Sequence, residues 1–177
     1  LGHLAPNYYL LDGVVPRTKL PEVLDMVSKI GEKWGLPIAN VFHAGDGNLH
    51  PCILFDERIP GQTLKAQKAG GEILELCVSV GGTLSGEHGD GIVRGVWTEK
   101  MFGPGLYESF CELKRIFDPQ QIMNPGKIIN TPPLTDNLRI DPQYQTKSFP
   151  TRLDFSAEGG FASAVEMCSG LGTCRKS

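Results

Sequence analysis

Three of the four histidines in this 177-residue chain fall in two glycine-rich segments. The first reads His43-Ala44-Gly45-Asp46-Gly47-Asn48-Leu49-His50, and the second Gly86-Glu87-His88-Gly89-Asp90-Gly91. Asp-Gly between two apolar runs is a hairpin signal. With Asp46-Gly47 as a two-residue turn, counting outward pairs Gly45 with Asn48, Ala44 with Leu49 and His43 with His50. Directly opposed residues share a sheet face, with Cβ atoms about 4.5–5.5 Å apart. Two imidazoles at that separation can grip one divalent cation, and Asn48 lies on their face. Glu87-His88 adds a carboxylate in a segment whose glycines let the backbone bend. A His, His, Glu set is a common catalytic zinc shell with one position left open. Two solvated hairpin histidines are the plainer alternative, and Glu87-His88 tips the balance towards metal. Arg94 offers a guanidinium fork suited to a carboxylate, against the plainer reading of a solvated arginine. Asp46 and Asp90 read as turn formers.

The elements that must position these residues follow from periodicity. Tyr8 to Val15 is rich in aromatic and β-branched residues and stops at Pro16, a strand pattern. Leu20, Val23, Leu24, Val27, Ile30 and Trp34 form a helical stripe that ends at Gly35 and Pro37. Ile38–Phe42 and Leu49–Phe55 flank the turn as two strands. Leu64, Ile73, Leu76, Cys77 and Val80 mark a second helix closing at Gly81-Gly82, and Thr83–Ser85 starts a fourth strand. The order β-α-β-β-α-β predicts an α+β fold, a ferredoxin-like antiparallel sheet with helices on one face. In that sheet the fourth strand begins, not ends, at the level of the hairpin turn, so topology alone does not bring Glu87 and His88 to the other histidines. Leu106, Phe110, Leu113 and Phe117 predict a further helix ended by Asp118-Pro119.

From about residue 131 the pattern changes to an extended C-terminal tail. Thr131-Pro132-Pro133, Asp141-Pro142 and Phe149-Pro150 punctuate a polar stretch without periodicity, as expected of a linker. The chain lacks an initiating Met and stops just after Cys174, which reads as a piece of a longer protein. Net charge is −3, so there is no basic footprint for nucleic acid. No apolar run has the length of a transmembrane segment, and no signal peptide is visible. The five cysteines are odd in number, and Cys52, Cys77 and Cys111 sit in apolar patterns. They predict buried thiols of a cytoplasmic protein rather than a disulfide framework.

Several segments together resemble a known family. Val41-Phe42-His43-Ala44-Gly45-Asp46-Gly47-Asn48-Leu49-His50-Pro51 and Gly82-Thr83-Leu84-Ser85-Gly86-Glu87-His88-Gly89 are similar to the two signature motifs of FAD-linked oxidase C-terminal domains. Asp118-Pro119 with Ile122-Met123-Asn124-Pro125-Gly126-Lys127 resembles that family's closing motif. Asp12-Gly13-Val14-Val15-Pro16-Arg17 resembles the strand that opens this region in glycolate oxidase flavoprotein subunits; D-lactate dehydrogenases share the family. The likeness spans residues 1–130 as a substrate or cap domain. In the tail, Leu153-Asp154-Phe155, Gly159-Gly160-Phe161 and Val165-Glu166-Met167-Cys168 resemble the bridge from flavin to iron–sulfur halves of fused dehydrogenases. Residues 131–177 would then be a linker and the start of a truncated iron–sulfur domain. Cys168 and Cys174 match the outer positions of a C-x₂-C-x₂-C motif, with Leu171 in the middle place.

The resemblance implies hydride transfer from C2 of a 2-hydroxy acid, such as glycolate or D-lactate, to FAD. It implies a divalent cation, zinc or manganese, on His43, His50 and Glu87, and His88 as the general base. Asn48 and Asn124 would orient substrate or flavin, and Arg94 would hold the substrate carboxylate. It further implies that FAD is held mostly by an N-terminal domain of a longer parent, which would also carry a 4Fe-4S cluster. The convergence of Glu87 and His88 on the other histidines is likewise an implication of the family. Two other readings remain: a metal-dependent hydrolase in which Glu87 or His88 activates bound water, and a non-catalytic packing module with structural histidines.

Overall fold

The computed structural model describes all residues except Leu1, His3, Asn137, Arg139, Ile140, Asp141, Pro142, Ser148, Ser169 and Ser177. The fourth histidine, His3, and the Asp141-Pro142 punctuation thus lie outside the described residues. The sheet is built on one long strand. β1 (Asn7–Leu10) and β2 (Gly13–Val14) are two pieces of one interrupted strand, and β3 (Ile38–His43) precedes β4 (Asn48–Phe55). β4 pairs antiparallel with β1 and β2 along one edge and with β3 along the other. Beside β2, the expected fourth strand is reduced to isolated bridges, Val14 to Thr83 and Asp12 to Ser85. The spatial order is that of the split βαβ arrangement, with its last strand almost absent.

α1 (Leu20–Trp34) forms because its apolar stripe buries Leu20, Val23, Val27 and Ile30, and it ends where Gly35 takes φ 64°. Only glycine adopts that left-handed conformation without strain. α2 (Gln62–Ser79) buries Ala66, Ala69, Ile73, Leu74 and Cys77. Lys33 and Trp34 of α1 both reach Glu72 of α2, at 2.7 and 3.2 Å. Alternation along β4 sends Leu49, Ile53 and Phe55 into the core with both helices. The same alternation sends Asn48 and His50 to the opposite face. Both sets are buried, so β4 is a strand covered on two sides.

The hairpin differs from the expected two-residue turn in register. His43 pairs with Asn48, and His50 lies opposite Val41. Four residues, Ala44 to Gly47, form the loop, closed by the Asp46 N–H donating to the His43 carbonyl at 3.0 Å. A two-residue type I′ turn needs positive φ at both central positions. Here Gly47 has φ 70° and Asp46 is not in the left-handed region. Gly47 is also drawn to the neighbouring strand, its carbonyl accepting the Val15 N–H at 2.9 Å.

Beyond the sheet lie α3 (Gly95–Phe102), which the sequence patterns did not predict, and α4 (Pro104–Phe117). Trp97 and Met101 of α3 pack against the core, while α4 buries none of its residues. The described part of the tail carries a short helix, α5 (Phe161–Glu166), and two 3-10 turns, Ser156–Glu158 and Thr173–Arg175, with Glu166 meeting Arg58 at 3.4 Å. Leu134 packs against the core cluster, so the start of the tail lies on the body of the domain.

Candidate functional site

The two-residue shift of register leaves every side chain on the face it was expected to take, because side chains alternate with period two. His43 and His50 therefore stay neighbours, on a diagonal instead of directly opposed, with ring centroids 5.3 Å apart. His88 stacks on His50 at 4.7 Å. All three imidazoles turn Nε2 towards one oxygen of Glu87, Oε1, at 3.5 Å from His43, 2.9 Å from His50 and 3.3 Å from His88. His50 is buried, whereas His43 and Glu87 are about half exposed.

What brings the Gly-Glu-His segment here is Asp12, to which sequence reasoning gave no role. Asp12 sits in the break between β1 and β2 and is fully buried. Its Oδ2 accepts the N–H groups of Gly86 (2.9 Å), Glu87 (3.1 Å) and His88 (2.8 Å) and the Ser85 hydroxyl (2.8 Å). Oδ1 accepts the Asn48 amide at 3.1 Å. Burial pushes the Asp12 pKa up, but the donors from His88, Ser85, Asn48 and Gly86 outweigh it and hold it at about 2. The loop also needs Gly86, since a Cβ there would come within 2.4 Å of Asn48 Nδ2 and 2.5 Å of a Val14 methyl. An acidic residue inside an apolar strand pattern was the available signal, because a buried carboxylate must find donors.

The expected strand geometry that would have carried Glu87 away is resolved by the shortness of the fourth strand. The chain leaves the sheet at Ser85, opposite Asp12, while still level with His50.

Neighbours also set the ring tautomers. His50 Nδ1 lies 3.2 Å from the Leu11 carbonyl, which can only accept, so Nδ1 carries the proton and Nε2 a lone pair. That Nε2 is buried and has no hydrogen-bond partner; Glu87 is close but off the line of a hydrogen bond. An unprotonated imidazole nitrogen, buried beside a carboxylate oxygen with two further imidazoles, fits a divalent cation. Ligand atoms of Asp12, His50, Glu87 and His88 also lie within 4.8 Å of one another. Asp12 is the poorest ligand of that set, because its oxygens are taken by N–H and O–H donors and it faces the Nδ1 side of His50, 3.7 Å away.

Arg94 is not solvated. It is buried at the start of α3, donating to the Gly89 carbonyl at 2.8 Å and approaching His88 Nδ1 at 3.5 Å. Arginine has only donors, so this contact asks Nδ1 of His88 to accept and leaves its proton on Nε2. Nε of Arg94 is buried without a partner. Burial pushes the Asp90 pKa up, against the lowering effect of Arg94. Asn48 is buried, with its amide nitrogen committed to Asp12 and its Oδ1 unpartnered. Asn124 is exposed with φ 46°, the conformation of a turn residue, and no hydrogen bond joins it to the histidines among the described residues. Its loop is held to the Gly-rich segment by the Ile128 N–H, which donates to the Gly91 carbonyl at 2.7 Å.

Fold and cluster define a class: an α+β domain whose hairpin and adjoining glycine-rich loop gather three imidazoles around one carboxylate. The chain matches the family of FAD linked oxidases, C-terminal domain, over residues 1–128, and it belongs to that family. It is 47% identical to the glycolate oxidase subunit GlcD of Escherichia coli K12 over 131 residues, 74% of this chain and 26% of that protein. It is 37% identical to a D-lactate dehydrogenase of Archaeoglobus fulgidus over 120 residues, 68% of this chain and 26% of the relative. A D-2-hydroxyglutarate dehydrogenase of Pantoea ananatis is 27% identical over 175 residues, 98% of this chain and 17% of the relative. The chain thus spans about a quarter of the length of the first two relatives. Among the described residues no helix is long and apolar enough to cross a membrane.

Proposed function

We propose that this chain is the substrate-side part of a flavin-dependent 2-hydroxy-acid dehydrogenase, with His43, His50 and Glu87 as ligands of a divalent cation, zinc or manganese. The observation that carries the cation is the convergence of three Nε2 atoms on Glu87 Oε1 around the unpaired lone pair of His50. Membership of the family carries the flavin. When bound, FAD supplies the hydride acceptor and the cation supplies positive charge beside the substrate hydroxyl, easing loss of its proton.

The chain's own residues do the rest. His88 takes the hydroxyl proton as general base. To accept at Nε2 it must carry its own proton on Nδ1, and so must give up the Arg94 contact. That pairs naturally with Arg94 turning to the substrate carboxylate. Asn48 offers its free Oδ1 to substrate or flavin, and Asn124 contributes from the closing loop once the flavin-holding part of the longer protein is docked.

Residues 1–130 form the substrate or cap domain in this reading, and 131–177 are a linker and the start of an iron–sulfur domain. A relative that aligns through the tail supports its continuation in a longer protein, and the exposed Cys168 and Cys174 support the cluster. Cys52 and Cys77, buried outside any disulfide, also favour the cytoplasm.

The test uses the full-length protein, anaerobically, with glycolate, D-lactate and D-2-hydroxyglutarate and with flavin, zinc, manganese, iron and sulfide quantified. Bleaching of the flavin by at least one acid, and loss of bound metal in His50→Ala, are expected. No bleaching by any of the three, with metal-dependent ester hydrolysis instead, would overturn the redox reading in favour of a hydrolase.

A further inference from the structure

Three consecutive backbone N–H groups, those of Gly86, Glu87 and His88, point at a single carboxylate oxygen. Convergent N–H groups of this kind make an anion-binding concavity. Here the anion belongs to the chain itself, 74 to 76 residues away in sequence. The same carboxylate takes the Asn48 amide, which lies on the hairpin strand two residues before His50, and it stands 3.7 Å behind His50 Nδ1. One side chain therefore touches both glycine-rich segments and the first strand. A fully buried carboxylate that meets no Lys or Arg among the described residues is retained only where such donors replace water.

We propose that Asp12 is a positioning residue. It shapes the Gly86–His88 turn and registers Glu87 and His88 against His50, without being a ligand or touching substrate. The inference rests on the metal reading only for one of its readouts. Without the carboxylate the three N–H groups lose their acceptor, the turn relaxes, and Glu87 no longer shares a point with the three imidazoles. Outer partners of metal ligands typically contribute about 10–100-fold to metal affinity, and the loss on removing Asp12 should fall in that range.

Asp12→Asn and Asp12→Ala in the full-length protein test this, with His50→Ala as control. Amide hydrogen exchange at Gly86–His88 should quicken about tenfold or more in both Asp12 variants, reporting local opening. It should stay at the wild-type rate in His50→Ala. Zinc or manganese affinity, read by calorimetry, should fall about 10–100-fold in the Asp12 variants. In Asp12→Ala, added formate should restore both protection and affinity, because it can refill the concavity, while formamide at equal concentration should not. Wild-type exchange at 86–88 in both variants would overturn the proposal. So would global unfolding not reversed by formate, since that would make Asp12 a folding residue. If the wild-type protein binds neither metal, the metal reading falls, and the exchange and formate results still decide the role of Asp12.

Discussion

β4 and α4 are both rich in apolar residues, and they meet opposite fates. Every residue of β4 is buried: Leu49, Ile53 and Phe55 pack with the helices on one side, and on the other Asn48 meets Asp12 and His50 stacks on His88. α4 buries none, and it leaves Leu113, Ile116 and Phe117 between 57% and 72% exposed. Ile122 and Met123, just beyond, are exposed as well. An amphipathic pattern states that a face wants cover, but not what covers it. For β4 the cover lies within the chain. For α4 the cover is partial: Phe110 meets Phe102 edge-on at 5.4 Å, but Leu113, Ile116 and Phe117 stay exposed, and an apolar patch of this kind marks a surface of contact.

Four substitutions would break or sharpen this contrast. The largest effect belongs to the site built on β4. In the full-length protein His88→Ala should lower kcat by roughly 10²–10⁴-fold, the span of a positioned acid–base group. Flavin and metal contents measured in the same preparations should stay near normal. If metal is lost together with turnover, His88 is a ligand and its role must be redrawn.

Next comes the core under β4. Ile53 is fully buried, so Ile53→Ala should cost about 2–5 kcal/mol, read by urea unfolding. A cost below about 1 kcal/mol would mean that the two-sided burial of β4 is not what holds the domain.

Asp12 contributes in a pH-dependent way. Its pKa is lower in the folded protein than its ordinary value of 3.8, at about 2. The unfolded chain therefore binds the proton first as pH falls. The stabilisation, about 2 kcal/mol by linkage, is fully present above the unfolded value and is lost as pH drops towards 2. Asp12→Asn should lack this acid limb when stability is measured from pH 6 downward; an unchanged pH dependence would contradict the donor network drawn around Asp12.

Smallest of all is Leu113→Ser on α4, expected within about 0.5 kcal/mol by the same unfolding measurement on the described chain. A loss above 1 kcal/mol would show that α4 is covered after all, and the contrast with β4 would disappear.

Much of the local architecture was legible before any coordinates. The stripe of α1 and its stop at Gly35 follow from spacing and from the residue type that tolerates positive φ. Placement of His43, His50 and Asn48 on one face also follows, and it survives the wrong register, because a slip of two residues conserves the alternation. A slip of one would have put His43 on the opposite face from His50 and Asn48. The burial of Arg94 has no local sign in the sequence, because nothing marks the start of α3 there, and α3 itself does not show in the patterns. Its core contacts come chiefly from Trp97 and Met101, too few positions to stand out as a stripe.

Residue types and alternation alone thus determined which side chains could share a face and which chemistry they could perform. Their meeting at one carboxylate oxygen was decided only in three dimensions. It depends on where the chain leaves the sheet after Ser85, and that point is set by hydrogen bonds from Ser85, Gly86, Glu87 and His88 to Asp12, more than 70 residues earlier. Periodicity reports the environment a residue needs along its own element. It carries no information on which distant group will satisfy a backbone N–H, because many acceptors could, and packing selects one.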